Sequence, residues 1–131
     1  MGSLVGSRVE RKEDKRFLTG KGRYTADINI TNQTYAVFVR SPHARAKIKK
    51  VDFSKASKAP GVVSILTGAD IVNDKIGGLI AGWKIVSEDG TDMKVPAHPP
   101  LASDAVNYVG DHLAVVIAES LDEAKAAANL V

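Results

Sequence analysis

At 131 residues, with 44% hydrophobic and 25% charged side chains, the chain has the length and composition of one folded soluble domain rather than a disordered segment. Cysteine is absent, which excludes disulfides, thiolate nucleophiles, cysteine-held zinc and any iron–sulfur cluster bound by these residues, and which fits a cytoplasmic protein. The net charge of +3 hides an asymmetry: residues 1–58 hold 14 Lys/Arg against 5 Asp/Glu (+9), and residues 59–131 hold 4 against 10 (−6). A basic first half suits an anionic ligand or an acidic partner surface, and equally a solvated basic arm.

Residues 1–27 are polar and glycine-punctuated, and they read as an extended basic arm with at most one turn over Glu10 to Arg16. The opening MGSLVGSRVERKEDKR has no apolar stretch of the kind a secretory signal needs. No apolar run in the chain approaches the roughly 20 residues of a bilayer span, so membrane insertion is not expected. Residues 28–131 read as the folded domain. Asp27 to Asn32 form a turn into a first strand, where Tyr35, Val37 and Val39 alternate with Ala36, Phe38 and Arg40. Ser41-Pro42 ends that strand, because proline offers no N–H to a ladder. A second strand is expected over Ala46 to Val51, its lysines at 47, 49 and 50 marking a wet edge or face.

Ser54 to Lys58 suits a helical turn stopped by Pro60-Gly61. Val62 to Leu66 is nearly all apolar, the pattern of a strand covered on both faces. Thr67 and Asp70 then open a short helix through about Val72. Asn73 to Pro100 is irregular and carries Ile76, Leu79, Ile80, Trp83 and Ile85. Loops of that length are commonly functional, and two readings stand open: a satellite cluster of the core, or a partner contact. Val106 to Val109 and Leu113 to Ala118 read as two strands joined through Gly110-Asp111, with LAVVIA a central strand covered on both faces. Ser120 and Glu123 make a capping box, and Leu121, Ala124, Ala128 and Val131 follow on one helical face. That helix is expected to run to Val131 without a stop, as if the chain were the beginning of something longer.

No catalytic constellation emerges. His43, His98 and His112 lie 55 and 14 residues apart, far from the i, i+4 spacing of a helical metal pair. Gly20-Lys21-Gly22 has neither the preceding strand nor the following helix of a phosphate loop. Asp111 and Glu119 belong to a turn and a helix cap, and Ser41 has no base that spacing identifies. The lysines at 47–50 have no interleaved aromatics, so nucleic acid is not an expected partner.

Four blocks nevertheless carry a resemblance. FVRSPHARAKI (Phe38 to Ile48) is similar to the FVRSPHAHAxI segment of molybdenum-binding large subunits in the xanthine dehydrogenase, aldehyde oxidase and aerobic carbon monoxide dehydrogenase family. RVERKEDKRFLTGKGRYTADI, PGVVSILTGADI and LASDAVNYVGDHLAVVIAES resemble three further blocks of that family, in the same order. The departures are Arg45 for a second histidine, Asn107 for arginine, and Asp111-His112 for Glu-Pro.

The resemblance implies an α+β fold, the α/β hammerhead, with a mixed β-sheet and short flanking helices. It implies a component of a molybdopterin-dependent oxidoreductase, inactive alone. The molybdenum–molybdopterin cofactor (cytosine dinucleotide type) would sit in the rest of the large subunit, with iron–sulfur clusters and FAD on partner domains or subunits. Catalytic, cofactor-binding and metal-binding residues would all lie past Val131. A looser match makes Gly77, Gly78, Leu79 and Ile80 candidates for the wall of a substrate channel. The rival from another class is a stand-alone binding module whose basic half takes an anionic ligand or nucleic acid.

Overall fold

The computed structural model describes residues 5, 6, 8–83 and 85–131. Residues 1–4 and 7 of the predicted arm, and Lys84 of the predicted loop, lie outside the described residues. The chain divides into two compact units, residues 1–33 and residues 34–131.

The first unit holds one short helix, α1 (Asp14–Leu18), and a 3-10 turn over Thr25–Asp27. The helix falls later than the expected turn over Glu10 to Arg16, because its stop signal is Gly20. Gly20 has φ +67°, and the Gly20 N–H donates to Phe17 O (3.1 Å) while the Lys21 N–H donates to Arg16 O (2.8 Å). This pair of bonds is a Schellman cap, which needs the left-handed conformation glycine adopts freely. The Gly-Lys-Gly run is therefore a helix terminator. It returns the chain so that Tyr24 stacks on Phe17, ring centres 5.7 Å apart. Gly22 permits this, since a Cβ there would lie 2.8 Å from the Phe17 ring.

The second unit contains β1 (Tyr35–Arg40), β2 (Ala46–Lys47), a 3-10 turn over Ala56–Lys58, β3 (Val62–Thr67), α2 (Gly68–Asn73), β4 (Ala105–Val106), β5 (His112–Ala118) and α3 (Leu121–Ala128). A three-stranded sheet runs β1-β5-β3, and β2 pairs with β4. The class is α+β, as expected. The resemblance led us to expect a mixed sheet, but each pairing between these strands is antiparallel.

The predicted central strand is central: β5 lies between β1 and β3. Its Ala114, Val116 and Ala118 are fully buried, and α3 lies over this face with Ala124 and Ala127 inward. Ala56, Val116 and Ala127 form the heart of the core, packed by Val39, Val62, Ile65 and Val131. Small residues let the helix approach the sheet closely, which a chain with only 5% aromatics requires.

Five expectations change. The other alternation of β5, Val115 and Ile117, is only half-buried, so this sheet is covered on one face and not two. For the same reason β3, expected to be covered on both sides, is an edge strand with Val63 exposed. The strand expected over Ala46 to Val51 shrinks to two residues, because its partner β4 is equally short. Residues 106–109 do not form a hairpin with β5. The buried carboxylate of Asp111 accepts the N–H groups of Asn107 (2.9 Å) and His112 (3.0 Å), which bends the chain at Gly110 (φ +91°) instead of returning it alongside. Finally, α3 does stop: Asn129 is its C-cap, and Leu130 N–H reaches back to Ala127 O at 2.9 Å in a tightened last turn. Its inward face uses Ala127, while Leu121 is exposed.

Both expected helix starts are present. At α2, Asp70 accepts the Thr67 N–H and the Thr67 hydroxyl, each at 2.7 Å. At α3, Ser120 Oγ accepts the Glu123 N–H (3.3 Å) and donates to the Glu123 carboxylate (2.7 Å).

Candidate functional site

The long irregular segment begins beyond α2, where Lys75 takes φ +55° and the chain leaves the helix. At its far end it closes on itself. The Leu79 N–H donates to His98 O at 2.7 Å, which ties the two ends of the excursion together. Gly78 allows the close approach, since a Cβ there would sit 3.0 Å from the same carbonyl oxygen. Between the ends, Val86 bridges Asp92 across a tight turn with Gly90 at φ +79°. Asp89 stabilises that turn by accepting the Thr91 hydroxyl (2.7 Å) and N–H (3.0 Å), and these bonds hold its carboxyl below the usual carboxylate range.

The closed loop frames an open cleft of about 600 Å³. Leu79, Ile80, Met93 and Val95 supply an apolar lining, and Lys94, His98, Asn107 and Tyr108 supply its polar side. The Tyr108 hydroxyl lies 3.4 Å from His98 Nε2, and the rings meet edge-on with centroids 6.4 Å apart. Behind Tyr108 the wall is braced, since Arg45 Nη1 donates to Asn107 Oδ1 at 2.6 Å and Asp111 holds the Asn107 N–H. The cleft falls within the usual size range of small-molecule sites and has the usual apolar character with a few polar groups.

Of the predicted channel residues, Leu79 and Ile80 line this cleft, 58% and 93% exposed. Gly78 acts through backbone contact with His98, and nothing lies within 4 Å of a Cβ at Gly77. Trp83 is 83% exposed, so these apolar residues are not a satellite of the core. Sequence reasoning weighed His98 only as a metal ligand and did not single out Tyr108. They lie 10 residues apart on an irregular stretch, where no periodic pattern marks two side chains as neighbours.

His43, His98 and His112 stay in different places: a turn, this cleft, and the sheet, where His112 stacks on Phe38 with centroids 4.5 Å apart. Among the described residues no three His, Asp or Glu side chains gather as a metal-binding group. Among the described residues no helix is long and apolar enough to cross a membrane.

The second unit is thus a small α+β fold with a central antiparallel sheet and one irregular cleft-forming loop. Residues 19–131 match the sequence profile described as "Aldehyde oxidase and xanthine dehydrogenase, a/b hammerhead domain", and the chain belongs to that family. It is 43% identical over 129 residues to the nicotine 6-hydroxylase large subunit of Paenarthrobacter nicotinovorans, covering 98% of this chain and 15% of that subunit. Over 67 residues it is 46% identical to the carbon monoxide dehydrogenase large chain of Afipia carboxidovorans, covering 51% of this chain and 8% of that one. Among solved structures it resembles quinoline 2-oxidoreductase from Pseudomonas putida 86, with a TM-score of 0.78, 36% identity, and coverage of 95% of this chain and 15% of that one. The chain thus spans about 15% of the length of these full-length matches.

Proposed function

We propose that this chain serves as the hammerhead domain of a molybdopterin-dependent hydroxylase large subunit, in which it is structural and shapes the path to the substrate. The family match supports the first part, and a related structure is itself described as a Cu,Mo-containing carbon monoxide dehydrogenase. In this reading the molybdenum cofactor, of the cytosine dinucleotide type, is held by the remainder of the large subunit. It supplies oxidation with oxygen derived from water. Iron–sulfur clusters and FAD reside on partner domains or subunits, and the complex works in the cytoplasm.

One observation carries the second part: the loop closed by Leu79 and His98 presents exposed Leu79 and Ile80 into a cleft of about 600 Å³. An apolar wall with a small polar side orients a compact substrate without binding it tightly, which is what an access path requires. Gly78 lets the backbone pass close to His98, next to the cleft-lining Leu79.

The test is a charged substitution, Leu79→Asp, in the complete enzyme, with steady-state kinetics and molybdenum content measured together. A carboxylate in an apolar wall disfavours an apolar substrate, so KM rises by tenfold or more at unchanged molybdenum content. Unchanged KM and kcat in a fully loaded variant would exclude the cleft from the substrate path. The alternative, a stand-alone binding module that uses the basic N-terminal half for an anionic ligand or nucleic acid, requires salt-sensitive affinity of the chain for that ligand.

A further inference from the structure

The sheet has one covered face and one open one, and the open one is apolar. Residues paired directly across antiparallel strands point to the same side. Phe38 pairs with Val115 and Ala36 with Ile117 on one flank, and Leu66 pairs with Val115 and Ser64 with Ile117 on the other. These six residues therefore share the face opposite α3. Phe38 is 44% exposed, Ala36 is exposed, and Val115, Ile117, Leu66 and Ser64 are half-buried. A central strand apolar on both alternations asks for a layer on each side, and these residues supply only one.

A second observation lies on the same face. The register irregularity at Val39/Arg40 sets His112 beside Phe38, where the two rings stack. His112 Nε2 is buried with no hydrogen-bond partner. A buried polar atom without a partner is costly, and the stack leaves Phe38 as the exposed ring on this face.

We infer that this face is a docking surface for the remainder of the large-subunit polypeptide, which covers Phe38, Ala36, Val115 and Ile117 with apolar side chains. The inference rests on the reading given under Proposed function. The occupant follows from the comparisons: an aligned large subunit matches 98% of this chain with only 15% of its own length, so most of such a polypeptide is tethered beside this sheet. Tethering gives it an effective concentration no free partner matches. The six face residues carry no charge, and Arg40, paired with His112 at the rim of the face, donates to Gly110 O at 3.1 Å, which favours a permanent contact with an apolar protein layer over a transient one.

Two measurements on the complete enzyme test this. An Ala36→Cys variant, with Ser64→Cys as a second site on the same face, is labelled with N-ethylmaleimide in the native and denatured states and read by mass spectrometry. Labelling at least tenfold slower in the native enzyme supports a covered face. Equal rates at both sites overturn it. Phe38 is then replaced by p-benzoylphenylalanine and the enzyme irradiated. Cross-links to peptides of the same large subunit beyond this domain support the proposed occupant. Cross-links to residues 1–33, to a second copy or to another subunit overturn it. Molybdenum content and dehydrogenase activity of the same preparations separate the two readings. An active, molybdenum-loaded enzyme with fast labelling refutes only the docking face. A preparation that never carries molybdenum refutes the function and, with it, this surface.

Discussion

Gly68 begins α2, and ordinary helix propensity says alanine would be better there by up to about 1 kcal/mol. The structure says the opposite. A Cβ at Gly68 would lie 2.6 Å from the carbonyl carbon of Ala102 and 2.7 Å from Ser103 Cα, with the Ala102 oxygen nearer still. Comfortable carbon–carbon contact needs about 3.5 Å or more, so the backbone of 102–103 must retreat by roughly an ångström. It is poorly placed to do so: the Ala102 N–H donates to His112 O at 2.7 Å, and Leu101 and Ala102 are both buried. Overpacking of this kind typically costs about 1–3 kcal/mol, and the rigid neighbour places Gly68→Ala at the upper end. After the gain in helix propensity, a net loss of about 2 kcal/mol is expected. Urea unfolding followed by far-ultraviolet circular dichroism measures it, a better signal than fluorescence because Trp83 is 83% exposed. An unchanged or higher midpoint with the same urea dependence would mean that propensity governs this site, and the close approach of α2 to residues 102–103 would be refuted.

Val116 is the largest fully buried side chain, and Val116→Ala removes two methyl groups from the contact between sheet and α3. A loss of about 2–3 kcal/mol in unfolding free energy is expected, from roughly 0.8 kcal/mol per carbon plus the cavity. At α2, the Thr67 hydroxyl and N–H hold the Asp70 carboxyl below its usual range. A depressed folded-state value means its contribution is present above the ordinary Asp value of 3.8 and is lost as pH falls through the folded value. Asp70→Ala therefore costs about 1 kcal/mol at pH 7, and its deficit relative to the parent narrows below about pH 4 in acid-unfolding curves.

Much of the local structure is legible in the residues, because it depends on neighbours in sequence. The alternation of β1, the apolar run of β5, and the Thr67–Asp70 and Ser120–Glu123 helix starts are each decided by side chains three or fewer positions apart. Asn129 and Gly20 were equally local signals: one stops α3, and the other turns the Gly-Lys-Gly run into a helix cap. The family resemblance is likewise carried by contiguous blocks, which is why it survives as the match over residues 19–131.

The tertiary structure decided what depends on distant residues. Whether LAVVIA is covered on one face or two is a question of which layers exist, and periodicity cannot answer it. The hairpin fails because β1 and β3 occupy both edges of β5, and Asp111, bonded to Asn107 and His112, bends the chain away at Gly110. The cleft needs Leu79 joined to His98 and Tyr108 set beside it, a closure made through one backbone hydrogen bond across an irregular loop. Sequence alone determined most of the elements and the family, since short-range chemistry writes both; folding alone decided the open sheet face, the Phe38–His112 stack and the cleft, since each is a relation between residues the chain holds far apart.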